Sequence, residues 1–179
     1  MKKINVYWLG ALFLLLFSAF SMIPNQSWQI KEGYSIKFVS KDPSGIFKDF
    51  YGDIDFDPAS LSTSKFDLKV KVASISTGNG MMNKKAQTEE WFDAGSYPEI
   101  KFLSSKIEKT DKGYNIIGAL KMKEVTKTIK IPTSYKQDGS SASFSGTFYV
   151  KRSTYGIGHK SDAVPDVLKI QFNVPVTKK

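Results

Sequence analysis

The sequence predicts an all-β fold: antiparallel strands running as a meander and closing on themselves as an eight-stranded barrel. Three observations carry this. First, the repeating hydrophobic signal has a period of two rather than 3.6, and eight stretches show it. Second, the stretches are separated by short runs of turn chemistry, which join antiparallel neighbours. Third, the clearest runs have one apolar face, while the other, as in 50–57 and 65–72, is rich in lysine and aspartate. A sheet with one apolar face must cover it, and a closed barrel does so while removing its edges. At 179 residues the chain is long enough for one domain with a real core.

In chain order the runs are 34–39, 50–57, 65–72, 100–107, 114–122, 128–135, 144–150 and 166–174. Phe50, Gly52, Ile54 and Phe56 share a face, opposed by Asp49, Asp53, Asp55 and Asp57. In 65–72, Phe66, Leu68, Val70 and Val72 alternate with charged residues. Tyr114, Ile116, Gly118, Leu120 and Met122 share a third face; Phe144, Gly146, Phe148 and Val150 share a fourth. In 166–174 the apolar positions include Leu168, Ile170 and Phe172. The stretches 34–39, 100–107 and 128–135 alternate more weakly. One segment, from Thr77 to Gly95, breaks the pattern. Met82 with Ala86, then Trp91 with Phe92, predict a short helical segment ended by Gly95 and Pro98.

Residues 1–21 read as a signal peptide. Lys2 and Lys3 precede an apolar run over 6–17, and Ala19 and Ser21 sit where a signal peptidase cuts. The apolar run is short for a membrane span of about 20 residues. The expected product is residues 22–179, one barrel domain. It would be exported: periplasmic in a source with two membranes, otherwise secreted.

Composition removes several function classes. With no cysteine there is no disulfide framework, thiolate metal site or cysteine nucleophile. One histidine, His159, excludes multi-histidine metal sites. The net charge of +9 comes from 26 basic residues, of which Arg152 is the one arginine. Nucleic-acid readout leans on the arginine fork, so lysines solvating a surface are the better reading and no nucleic-acid partner is expected. Gly156-Ile157-Gly158 opens like a dinucleotide loop, but Ser161 stands where the third glycine belongs. His159, Ser161 and Asp162 crowd one loop, whereas catalytic triads are assembled from distant segments. The four aspartates of 49–57 spread too far along a strand, at about 3.3 Å per residue, to share one calcium ion. No catalytic residue, metal or cofactor is expected.

The inner face is more informative. Gly52, Gly118 and Gly146 fall on faces otherwise occupied by large apolar residues. They mark either bends in the barrel or places where room is left inside. An eight-stranded barrel is filled by side chains or holds one ligand. If it holds one, the wall is Phe50, Ile54, Phe66, Leu68, Val70, Phe102, Ile116, Gly118, Leu120, Phe144, Gly146, Phe148, Leu168 and Ile170. Such a wall suits a long apolar molecule, which gains about 0.8 kcal/mol per buried CH₂.

Several ordered motifs then carry a resemblance. They are Gly45-Ile46-Phe47 with the 50–57 strand, Ser74-Ile75-Ser76-Thr77-Gly78, and Trp91-Phe92-Asp93-Ala94 followed by Tyr97-Pro98-Glu99-Ile100-Lys101-Phe102. Gly118-Ala119-Leu120, Val125-Thr126-Lys127 and Phe148 through Ile157 complete the set. From about Tyr34 to Val176 the chain resembles the YceI family of periplasmic lipid-binding proteins. The resemblance implies an extended, lipocalin-like eight-stranded antiparallel β-barrel with a helical segment near its mouth. It also implies an elongated cavity for a polyisoprenoid, an isoprenoid quinone or another long-chain amphiphilic lipid, with no catalysis. The chain departs from the family at Tyr34-Ser35, at Gly80 through Lys85 and at Glu124. These changes bear on the identity of the ligand more than on the fold.

Met82, Trp91 and Phe92 belong at the mouth in this reading. Arg152 shares parity with Phe144, Phe148 and Val150 and therefore starts inward near a strand end. It either clamps the polar head of a lipid or hydrogen-bonds to groups of the protein. Two rival readings follow. One is a packed, non-catalytic interaction module that docks anionic envelope surfaces through its lysine-rich face. The other is an enzyme using His159 and carboxylates. Transient contact with a membrane surface and a homodimer paired through a strand face are both compatible with such a barrel.

Overall fold

The computed structural model describes residues 26–41, 43–159 and 164–179. The expected leader, as well as Ser161 and Asp162, lies outside them. Eleven strands form one closed antiparallel barrel. Functionally they make eight, because the first three are each broken once. The first consists of β1 (Ser27–Ile30) and β2 (Ser35–Val39), the second of β3 (Gly45–Phe47) and β4 (Phe50–Asp55). The third consists of β5 (Lys65–Lys71) and β6 (Ile75–Ser76), separated by a 3-10 turn at Val72–Ser74. Then follow β7 (Glu99–Thr110), β8 (Gly113–Met122), β9 (Val125–Asp138), β10 (Ser141–Lys151) and β11 (Val167–Lys178).

The barrel closes where β11 meets the broken first strand. Its lower half pairs with β2, from Lys169↔Val39 to Asn173↔Ser35. Its upper half pairs with β1, from Val176↔Ile30 to Lys178↔Trp28. Pro175 sits between the two, where the missing donor falls at the change of partner and Lys31 N–H donates to its carbonyl at 2.9 Å. A second proline limits another pair. The β9–β10 ladder runs from Asp138↔Ser141 only to Thr133↔Gly146. At Pro132 the donor is absent and the two strands part, leaving a seam toward one end of the barrel.

All eight predicted runs are strands. The run at 50–57 forms β4, which ends at Asp55; Gly45-Ile46-Phe47, which the resemblance joins to it, forms β3 across a break at Lys48-Asp49, and β1 and β6 were not foreseen. The predicted helical segment is shorter than expected. Helix α1 covers Gly80–Ala86, with the Asn79 side chain accepting from the backbone N–H of Met81 and Met82. Trp91 and Phe92 follow in turns, because the Ala86 carbonyl is taken by Phe92 N–H at 3.1 Å and the helix cannot continue.

The outer aspartates meet cations and hydroxyls. Asp49 pairs with Lys71 at 2.8 Å, Asp53 with Lys179 at 3.2 Å, and Asp55 accepts from the Ser27 hydroxyl. They act as a solvated outer face.

Candidate functional site

One end of the barrel is filled. Phe56 lies at its centre, with ring centroids of Tyr135 at 4.8 Å, Tyr114 at 5.0 Å, Phe144 at 5.2 Å and Phe66 at 6.0 Å. Trp28 caps this cluster, fully buried, and its indole N–H donates to the Phe56 carbonyl at 2.9 Å. Most of these contacts are edge-to-face, the arrangement that ring quadrupoles favour. Burial pushes the Tyr135 phenol up to about 12, with neighbouring Tyr114 and Asp57 adding to the effect.

Beyond that plug the inward side chains leave two adjoining chambers. The inner one encloses about 940 Å³ free of atoms and the outer about 1140 Å³, counting space open to solvent. Phe47, Ile100, Met122, Val150 and Ile170 belong to both walls. Of the predicted wall residues, Phe50, Ile54, Phe66, Leu68, Val70, Phe102, Ile116, Leu120, Phe144, Phe148 and Ile170 line the inner chamber. Its one polar residue is Thr133, whose hydroxyl is already donated to the Ile131 carbonyl at 3.1 Å.

The outer chamber has a mixed wall. Met82, Trp91, Phe92, Arg152 and Leu168 line it as predicted, together with Lys85, Thr77, Phe38, Ile75 and Ile157. The Trp91 ring meets two cations, the Arg152 guanidinium at 5.4 Å and the Lys85 ammonium at 5.8 Å from ring centroids.

Gly118 and Gly146 are a correction, because neither lines a chamber. A Cβ on Gly118 would lie 2.3 Å from the Leu103 carbonyl and 2.6 Å from Ser104 Cα, opposite the bulge in β7. A Cβ on Gly146 would lie 2.2 Å from the Pro132 carbonyl. A Cβ on Gly52 would meet Asp67 O at 2.0 Å, and Gly52 has φ +142°. These glycines let neighbouring backbones close on each other at bends. They do not create the interior space.

Arg152 is 2% exposed and points inward, as its parity predicts. Its donors go to backbone carbonyls of the following loop: Ile157 at 2.8 Å, His159 at 2.8 Å, Val164 at 3.0 Å and Pro165 at 3.3 Å. Four of five N–H groups are thus engaged, and the guanidinium ties that loop into a rim. Asp166 anchors the same rim. It accepts from the Ser153 N–H at 2.9 Å and the Ser153 hydroxyl at 2.8 Å, which hold its carboxyl below the usual range. His159 is exposed, its Nε2 4.0 Å from Glu90 Oε1.

The predicted wall lacked Ile36, Phe47, Ile100, Met122, Ile131, Thr133, Val150, Phe172 and Val174 of the inner chamber. Ile100, Met122, Val150, Phe172 and Val174 share parity with predicted wall residues on their own strands, so continuing the alternation one step further would have found them, whereas Ile36, Phe47, Ile131 and Thr133 lie on strands for which no wall residue was predicted. Phe38 and Ile75 flank short broken strands, where the alternation is too brief to read.

The molecule is a closed antiparallel, lipocalin-like β-barrel with an apolar interior, plugged at one end and rimmed by loops at the other. The model of the YceI-like domain family matches residues 26–176, and the chain belongs to that family. A protein of Pseudomonas savastanoi pv. phaseolicola described as a UPF0312 protein is 32% identical over 120 residues, 63% of this chain and 62% of its own length. The chain thus matches a little under two thirds of the length of that relative. The crystal structure of Burkholderia cenocepacia BcnA superposes with a TM-score of 0.76 at 30% identity, covering 80% of this chain and 96% of that one. A polyisoprenoid-binding domain from Saccharophagus degradans shares the fold with a TM-score of 0.62 at 11% identity, covering 86% and 99%.

Proposed function

We propose that this protein is an exported, non-catalytic carrier that sequesters a long-chain amphiphilic lipid of the polyisoprenoid or isoprenoid-quinone type. The observation that carries the reading is the contrast between the two chambers. The inner wall offers one polar residue, whose hydroxyl is already satisfied, so only an apolar tail gains by entering. The outer wall carries the Lys85 ammonium, which suits a polar head, while the Arg152 donors and the Thr77 hydroxyl are held by groups of the protein. The lipid would lie with its tail toward the Phe56 plug and its head under α1. Each buried CH₂ contributes about 0.8 kcal/mol, so a tail of a dozen carbons offsets the cost of ordering it. Family membership and the polyisoprenoid-binding description of the Saccharophagus domain support the lipid class. Nothing in this mechanism needs a prosthetic group: the barrel shields the tail from water and releases it unchanged.

Ile170 belongs to both chambers, which makes it the point at which to test the reading. An Ile170→Trp variant that keeps the strand signature in circular dichroism should lose uptake of a radiolabelled polyprenol. Ile170→Val should keep it. Unchanged uptake by the folded tryptophan variant would contradict the cavity reading.

A further inference from the structure

The described surface exposes few large apolar side chains, and they are unevenly placed. Met81 is 80% exposed, Met82 39%, Tyr149 66%, Val167 53% and Leu103 44%. Four of the five lie toward the outer chamber: Met81 and Met82 on α1, Val167 at the start of β11, and Tyr149 on β10 beside the seam. Leu103 sits on the outer face of β7, away from the rim, where it pairs with Ala119 and Asp67. Exposed apolar groups gathered at one end need a partner that makes their exposure cheap.

Helix α1 holds its pair in place. Asn79 caps it, Ala86 is buried beneath it, and the Asn83 side chain accepts from Thr77 N–H at 2.8 Å. Met81 has Lys84 and Lys85 three and four positions on, which puts them on one side of the helix. The helix carries no acid. Lys84 and Lys85, like most of the described lysines, have no carboxylate within ion-pairing distance among the described residues; Lys71, Lys101, Lys106, Lys130, Lys151 and Lys179 do. Nearby Lys123 spends its ammonium on the Glu89 and Gly156 carbonyls. Apolar tips beside unpaired lysines match the boundary between acyl chains and anionic headgroups. The same helix is continuous with the cavity, because Met82 and Lys85 face both solvent and the outer chamber.

We infer that the α1 end is a docking surface for an anionic phospholipid bilayer, with Met81 entering the acyl boundary and Lys84 meeting headgroups. Docking there sets the outer chamber against the membrane, so cargo moves between bilayer and barrel without crossing water. The direction of cargo movement rests on the carrier reading; the docking itself does not.

Residues 26–179 contain every element of the barrel, so vesicle flotation with that segment avoids the apolar leader. It should float with phosphatidylcholine vesicles containing about 30 mol % phosphatidylglycerol and remain behind with pure phosphatidylcholine. Bound fraction should fall at least fivefold as salt rises from about 0.05 to about 0.5 M, since exposed charges are screened. Met81→Ser should reduce binding about fivefold, and Met81→Ser/Lys84→Glu should abolish it. Leu103→Ser, away from the rim, should leave it unchanged. Neither Met81 nor Lys84 lines a chamber, so both variants should still take up polyprenol delivered from detergent. Their transfer of polyprenol from anionic vesicles should slow by the same factor as binding. No flotation of the wild type on anionic vesicles would overturn the proposal, as would equal losses in the Met81 and Leu103 variants. Docking with no polyprenol uptake by any route would leave the surface standing and sink the carrier reading.

Discussion

The two ends of this barrel are built on opposite rules. At the closed end, rings from β5, β8, β9 and β10 converge on Phe56, which is 1% exposed and lines neither chamber. At the open end, the wall is assembled from short strands, a seven-residue helix and a loop held by one arginine. The closed end is close-packed like any protein core. The open end is held by hydrogen bonds to carbonyls and by adaptable methionines, so it can yield without unfolding the barrel. On the proposed carrier reading, one end fixes the fold and the other lets cargo pass.

The largest effect should come from the backbone that both ends share. Gly52→Val places a side chain on the Asp67 carbonyl at a positive φ, so no rotamer relieves it. Loss of about 4 kcal/mol or more is expected, with most of the protein recovered unfolded in denaturation curves. A soluble variant of wild-type stability would mean that the bend is not required.

Phe56→Ala should come next, costing about 3–5 kcal/mol. It should also deepen the inner chamber. In a series of prenols of rising length, the longest one accepted should increase. Destabilisation with an unchanged length limit would show that the plug serves only the fold.

Arg152→Met should cost less, about 3 kcal/mol, because four loop carbonyls lose their donors while the closed end is untouched. Hydrogen exchange should accelerate at residues 153–158 and stay slow in the Trp28 strand. Uniform acceleration across the barrel would contradict the separation of the two ends.

The smallest effects should be those of pH, and they should act on opposite ends. The Asp166 carboxyl is held low by Ser153, so its contribution is present above the ordinary carboxylate range. That contribution is lost as pH falls through the lowered folded value, loosening the rim. The Tyr135 phenol is raised to about 12, so its contribution is present below pH 10 and is lost between 10 and about 12, loosening the plug. Tyrosine absorbance should show late-titrating phenols, with near-ultraviolet dichroism of the aromatic cluster failing in the same window. Release of the aromatic cluster by mild acid would break this assignment.

What the residues disclosed in advance follows the same division. Long strands such as β8 and β10 alternate over ten or more residues, and their inward faces are written in parity. β1, β3 and β6 span two to four residues, too few for any period to stand out. Arg152 was legible as inward, but its partners are carbonyls of a loop, which leave no mark in side-chain sequence. Gly118 and Gly146 misled for a related reason. Whether a missing side chain opens space depends on what the neighbouring strand places there, and here it places backbone. The seam was half written: Pro132 removes a donor, yet only the register with β10 shows which ladder stops.

The central claim is that the barrel carries a lipid. Native mass spectrometry on protein purified from a cell-envelope fraction under gentle conditions, followed by organic extraction, tests it most directly. A stoichiometric long-chain lipid that travels with the folded protein is the predicted result, and its mass would name the cargo class. A ligand-free mass, with no uptake of added polyprenols or quinones, would contradict the claim and leave the lysine-rich surface as the working part of the molecule.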